Sequence, residues 1–130
     1  MKALIPVIII ALGQVPGQEA LLRKGLLCKT WRQVGFQAFN GQYNQVDLLK
    51  ARLIQFKADG SYQEQRLAMH LEGFWRFYED STKILVSLTK PKQDMYFRSR
   101  KPLDQIILLT ADSLVVRNER NYYYFIAVGQ

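Results

Sequence analysis

The sequence predicts an all-β fold, an antiparallel meander closed into a barrel of about eight strands and preceded by a short N-terminal helical segment. Three observations lead there. Beyond Lys29, runs of roughly four to eight residues rich in Val, Ile, Phe, Tyr and Trp recur at short spacing, separated by Asn, Asp, Gly, Lys and Pro. No helix of more than three turns is suggested, so almost no helical layer is available to cover a sheet. An open sheet of that many strands would leave two unpaired edges and an uncovered apolar face, and closure removes both.

The chain begins with a basic start at Lys2 and an apolar run from Ala3 to Leu12. Val15-Pro16-Gly17 follows with small or modest side chains. This pattern is that of a secretory signal peptide covering residues 1–17, with cleavage after Gly17 and a single domain over residues 18–130. The run is shorter than the roughly 20 apolar residues a membrane-spanning helix needs, and no later segment approaches that length. Glu19 to Leu27 is expected to form one or two helical turns, with Leu21, Leu22 and Leu26 on one apolar side.

The expected strands are Thr30–Phe39, Lys50–Lys57, Ser61–Ala68, His70–Tyr78, Lys83–Thr89, Asp94–Arg98, Leu103–Leu109, Ser113–Asn118 and Tyr122–Val128. Asn40-Gly41 opens the longest connection, to about Leu49, whose polar content suits a surface loop able to fold over one end of the barrel. Around Asp59-Gly60, a two-residue turn would set Lys57 opposite Tyr62. A three-residue loop with Gly60 left-handed sets Phe56 opposite Tyr62 and Ile54 opposite Glu64, and is preferred because it makes an aromatic pair. Glu79 to Thr82 reads as a turn whose acids are solvated.

Strand alternation assigns Met69, Leu71, Gly73, Trp75 and Phe77 to one face, with His70, Glu72, Phe74, Arg76 and Tyr78 on the other. Gly73 permits bending or a close backbone approach. The segments 105–109, 114–116 and 122–128 are apolar on both parities, as expected for strands covered on both faces or sealed outside by the N-terminal segment.

Chemistry is limited by residue supply. Cys28 is the single cysteine, so no intramolecular disulfide forms even in an oxidising compartment, and it reads as a small apolar residue near the first strand. The lone histidine, His70, reads as a surface group. One His and one Cys cannot make a zinc site, the six aspartates have no cation-loop spacing, and there is no glycine-rich phosphate loop. No catalytic residue, metal or cofactor is therefore assigned.

The chain carries a formal net charge of +7. Lys90, Lys92, Arg98, Arg100 and Lys101 crowd one stretch with Tyr96 and Phe97 between them. This basic surface reads as solubilising, with anionic lipid, polysaccharide or protein surfaces as its candidate partners; export argues against nucleic acid. Tyr122-Tyr123-Tyr124 places aromatic rings on both parities, some of them available as interface anchors.

Four segments, in order and spacing, carry a resemblance. They are Leu26-Leu27-Cys28-Lys29-Thr30-Trp31, the hairpin from Leu53 to Tyr62, Gly73-Phe74-Trp75, and the stretch from Ile107 to Val116. Together they resemble the bacterial lipocalin-like family of small exported proteins, relatives of the calycin barrels. The resemblance implies that Trp31 closes one end of the barrel, with Arg117 or Arg120 as the late-strand arginine packing across it; a plain core role for Trp31 stays open. This chain has Lys29 where lipocalins usually have a glycine two residues before that tryptophan.

Phe56, Tyr62, Met69, Trp75 and Phe77 are the candidate lining of an interior for a small apolar or amphipathic ligand, and they would equally build a filled core. The functional expectation is a non-enzymatic exported protein, periplasmic, envelope-associated or secreted, that encloses such a ligand. The alternative is an envelope structural module, or one that binds a protein or polyanion, with its interior filled.

Overall fold

The computed structural model describes residues 16–78, 81–90 and 103–129. Residues 1–15 of the expected secretory segment 1–17, Glu79 and Asp80 of the expected turn, the expected strand Asp94–Arg98, and the basic residues Lys92, Arg98, Arg100 and Lys101 lie outside the described residues.

Helix α1 spans Pro16–Leu27. Proline suits the first helical position because its missing N–H has no intrahelical partner there. Glu19 in the first turn and Lys24 in the last complement the helix dipole. The helix is longer than the sequence suggests, and its buried face differs. Leu21 and Leu22 are 70% and 72% exposed, while Leu27 is fully buried. The face of α1 that meets the barrel carries Arg23 and Leu27, four residues apart, and Leu21 and Leu22 lie off that face.

Nine strands follow: β1 (Thr30–Ala38), β2 (Tyr43–Gln45), β3 (Leu53–Phe56), β4 (Ser61–Arg66), β5 (Met69–Tyr78), β6 (Lys83–Lys90), β7 (Leu103–Leu109), β8 (Ser113–Arg117) and β9 (Asn121–Ala127). All neighbours are antiparallel, and β9 returns to pair with β1 from Trp31–Ala127 to Ala38–Asn121. The result is a closed eight-position barrel. β2 and β3 share one position, since β3 pairs with residues 30–32 of β1 and β2 with residues 35–37. Between them a 3-10 turn, Leu48–Lys50, is capped by Asp47. The expected free loop from Asn40 to Leu49 is thus partly a strand, and the expected strand from Lys50 starts only at Leu53. Two registers cannot be held on one edge without a break, and this excursion supplies it.

The expected hairpin register is present: Phe56 faces Tyr62 and Ile54 faces Glu64, with Gly60 at φ +93°. Gly60 also donates its N–H to Lys57 O, closing the three-residue turn. Register shifts at Gln33/Gly35, Glu72/Gly73 and Ile106/Leu108 mark β-bulges. Each adds local bend and twist, which closing so small a barrel requires. At Gly73 a Cβ would lie 2.1 Å from Ser87 O, so only glycine permits β5 and β6 to approach there.

Alternation directs Trp31, Ile54, Phe56, Tyr62, Trp75, Ile84, Ile106, Leu114, Val116 and Phe125 into one core joined by Leu27. Burying each large side chain contributes about 1.5–3 kcal/mol. The outer face of β7 is not sealed, because the bulge there leaves Ile107 and Leu108 exposed. The expected cover is thus missing at Ile107 and Leu108, whereas the outward residues of β8 and β9 are half-buried.

The candidate ligand-binding interior

Near the start of β1, Trp31 packs against the C-terminal end of α1. Its ring is fully buried and its indole N–H donates to Leu27 O at 2.9 Å, tying β1 to the end of α1. The same helix is fixed by Arg23 Nε donating to Ser81 O, where Ser81 holds a left-handed φ of 68° in the β5–β6 turn. Lys29 donates to Ala111 O at 2.7 Å and its ammonium lies 5.7 Å from the Trp31 ring centroid. The residue standing where lipocalins usually have glycine therefore supplies the cation beside this tryptophan.

Arg117 and Arg120 do not have that role. Arg117 lies 4.9 Å above the Phe39 ring, and Arg120 is exposed in the β8–β9 turn, its backbone N–H bound by Asn118 Oδ1. Trp31 is near the start of β1 and Phe39 just past its end, roughly 25 Å apart along an extended strand. An arginine seated on one ring cannot reach the other.

The candidate lining resolves into a wall and an outlier. Phe56 contacts both Tyr62 and Trp75 at 5.4 Å between ring centroids, and Trp75 meets Phe77 edge-on at 5.2 Å. Trp75 Nε1–H is satisfied by Lys57 O at 2.8 Å, so the indole is buried without an orphaned donor. Phe77 is half-buried against this group. Met69 is 49% exposed and departs from the expected lining. It is the first residue of β5, paired with Arg66 beside the β4–β5 turn, where the strand has passed beyond the enclosed part of the barrel.

Above the aromatic wall the interior is charged. Tyr62 joins the two zones: its ring packs on Phe56 and its hydroxyl donates to Glu64 Oε1 at 2.6 Å. Glu64 is only 4% exposed. It accepts two bonds from Arg52, Nε to Oε2 at 3.0 Å and Nη2 to Oε1 at 3.3 Å, and another from Arg66. The Arg52 guanidinium also lies 5.8 Å from the Tyr123 ring and 5.6 Å from Phe125.

Burial by itself raises the pKa of Glu64, but the charge and hydrogen bonds of Arg52, helped by Tyr62 and Arg66, overcome it and hold the carboxyl at about 2. Burial and the Glu64 charge push the Tyr62 hydroxyl well above its ordinary range. Asp104, which has the inward parity of Ile106 on β7, senses both Arg52 and Glu64. Burial raises its carboxyl to about 6, Arg52 opposing and Glu64 reinforcing the shift.

Sequence reasoning missed Arg52, Glu64 and Asp104. For Glu64 a signal existed: the preferred hairpin register sets it opposite buried Ile54 and two residues from inward Tyr62, which makes it an acid at a core position. Nothing local marks Arg52 or Asp104.

The other singled-out residues are peripheral. His70 is exposed and 3.1 Å from Glu72. Cys28 is half-buried and its thiol is pushed upward mainly by burial, which keeps it protonated. Lys90 ends β6 with its backbone opposite Glu72. Among the described residues, no group of three or more His, Cys, Asp or Glu side chains could hold a metal ion, and no helix is long and apolar enough to cross a membrane. Outside the barrel, Phe39 packs on Tyr122 and Tyr43 on Tyr124, each pair at 5.3 Å.

This architecture is that of lipocalin-like barrels. Among solved structures, the chain is similar to a lipocalin-like protein from Bacteroides uniformis, with TM-score 0.65 and 18% identity over 79% of this chain and 99% of that one. It is also similar to a DUF4847 family protein from Bacteroides vulgatus, with TM-score 0.58, 16% identity, and coverage of 84% and 99%. An uncharacterized protein from Bacteroides eggerthii gives TM-score 0.61 at 13% identity, with coverage of 78% and 98%. At these identities the likeness is one of fold. No protein-family model matches the chain, and no curated protein matches it.

Proposed function

We propose that this protein is a non-enzymatic, exported binding protein that reversibly encloses a small amphipathic molecule in its barrel. The observation that carries this reading is the interior position of the Arg52–Glu64 pair beside an aromatic wall. Desolvating two charges costs several kcal/mol per ion before their attraction returns it, so a barrel filled for stability alone gains little from such a pair. An interior with Phe56, Trp75 and Phe77 at one level and charged groups at the next suits a ligand with an apolar body and a polar head. Tyr62 stands at the junction and contacts both.

Native mass spectrometry of protein freshly purified from its exported fraction tests the reading. A retained molecule of small-ligand mass that dissociates on mild activation supports it. Ligand-free protein that also takes up none of a panel of amphiphiles overturns it. Export itself is tested by the mature terminus: Gln18 is expected, and an intact Met1 contradicts it.

A second reading, an interaction module with a filled core, is favoured by the half-exposed Phe39 and Tyr43 with their Tyr122 and Tyr124 neighbours. It predicts concentration-dependent size or partner capture that Tyr43→Ser weakens, with no retained small molecule.

A further inference from the structure

The interior charges are unequally committed. Glu64 is saturated, accepting from Arg52, Arg66 and Tyr62, so it has little capacity for a further donor. Arg52 is neutralised by Glu64 through a two-point contact, and the Tyr123 and Phe125 rings stand beside its guanidinium. An incoming anion would have to displace the Glu64 carboxylate from Arg52 while meeting the field of Asp104. Asp104 is different. It points inward from β7, in the same field as Arg52 and Glu64, and among the described residues no side chain or backbone donor bonds its carboxyl. Among the described residues it is the interior carboxylate without a donor; Gln33, buried on β1, offers only a neutral amide oxygen, a weaker counterpart for a cation.

We propose that Asp104 is the head-group-recognising residue of the barrel, and that the ligand class is an amphiphile bearing a primary amine or similar cationic donor. The apolar body would lie along the wall of Phe56, Trp75 and Phe77, and the ammonium would take the Asp104 carboxylate as counterion. The Arg52–Glu64 pair acts as a positioning group: it fixes a neutral, hydrogen-bonded floor that disfavours a second anion. The net charge of +7 works the other way at long range, drawing anions toward the protein. A preference for a cation would therefore have to originate inside.

This inference rests on the ligand-enclosing reading above, and the test separates the two. Decylamine, decanol and decanoate have one chain length and three head groups. Their binding to the full mature protein is measured at neutral pH by calorimetry, and repeated with Asp104→Asn. The expected result is decylamine bound at least about tenfold more tightly than decanol, roughly 1.4 kcal/mol. Decanoate is expected to be the weakest, and Asp104→Asn should reduce the ratio of amine to alcohol affinity to about one.

Decanoate bound as tightly as decylamine by the unmodified protein overturns the amine assignment, and this comparison needs no variant to fold. An amine preference that persists in Asp104→Asn overturns the role of Asp104. Failure of all three probes to bind overturns the enclosing function itself.

Discussion

Arg52 and Glu64 face each other inside the barrel through two hydrogen bonds, although Arg52 precedes β3 and Glu64 lies near the end of β4. The hairpin register makes the meeting possible: Leu53 pairs with Gln65 and Ile54 with Glu64, so the residue just before β3 lies beside the upper part of β4. Glu64→Gln leaves the Arg52 guanidinium, on a side chain 22% exposed, without the carboxylate it is paired to. The expected cost is about 3 kcal/mol, the lower end of the range for breaking a buried pair from one side, because water still reaches part of Arg52. Replacing both residues, as Arg52→Leu with Glu64→Leu, is expected to recover most of that loss. Chemical denaturation at pH 7 reads the difference as a shift in midpoint at unchanged slope.

The two interior carboxyls give stability opposite pH dependences. Glu64 has a folded pKa of about 2 against an ordinary 4.5, so its contribution is complete above pH 4.5 and is lost as pH falls towards 2. Asp104 has a folded pKa of about 6 against 3.8, so the folded state binds its proton more tightly. Its contribution is complete below pH 3.8 and is lost as pH rises through 6. Each shift corresponds to something on the order of 3 kcal/mol. Stability attributable to this pair should therefore crest between about pH 4 and 5. Asp104→Asn should remove the decline on the alkaline side and raise stability at pH 7, and Glu64 should still govern the acid limb. Thermal melts across pH 2–8 would show both limbs.

Gly73 permits a contact no other residue can make. An added Cβ would meet Ser87 O at 2.1 Å and Leu88 Cα at 2.9 Å, both backbone atoms of β6. Backbone cannot rotate away as a side-chain tip can, so Gly73→Ala must part β5 from β6 next to the Glu72/Gly73 bulge. The expected loss is about 1–3 kcal/mol, with amide protection falling first along residues 86–90. By contrast, the Cβ of Gly35→Ala would strike the Tyr43 ring, which can swing outward; that variant should free β2 and cost less.

Much of the barrel was legible because period-two alternation is strong wherever one face is enclosed. The Phe56–Tyr62 register, the inward set Leu71, Gly73, Trp75, and the close approach at Gly73 all follow from that rule and from the chemistry of Asp59-Gly60. The break between β2 and β3 was not legible, because it arises from two partners competing for one edge of β1, which no local pattern records. The helix was misjudged for a related reason. Leu21 and Leu22 look like an apolar side, but the barrel meets the face that carries Arg23 and Leu27, where a hydrogen bond to Ser81 O and one buried leucine fix the helix.

The charged interior stayed hidden because polar residues in strands are ordinarily read as outward. Glu64 broke that rule at an inward position, and its partners Arg52 and Asp104 converge from sequence distances that periodicity cannot span. Hence the clustering of Phe56, Tyr62, Trp75 and Phe77 follows from alternation, whereas the meeting of Arg52, Glu64 and Asp104 does not.

The tryptophan beside the end of α1 provides a last test, because its cation is Lys29 and not Arg117. Trp31→Phe loses the bond to Leu27 O and leaves unfilled volume around a fully buried site; about 2–4 kcal/mol is expected. Because that bond joins β1 to α1, amide exchange at Leu27 and Cys28 should quicken more than in the barrel strands. Arg117→Ala removes a half-buried contact with Phe39 at the other end of β1 and should cost about 1 kcal/mol or less. With no shared partner and the length of a strand between them, the two effects should add within about 0.5 kcal/mol in the double variant. A coupling well above that value would mean that Arg117 acts on the Trp31 end of β1 after all, and that the Arg117–Phe39 contact is not its resting position.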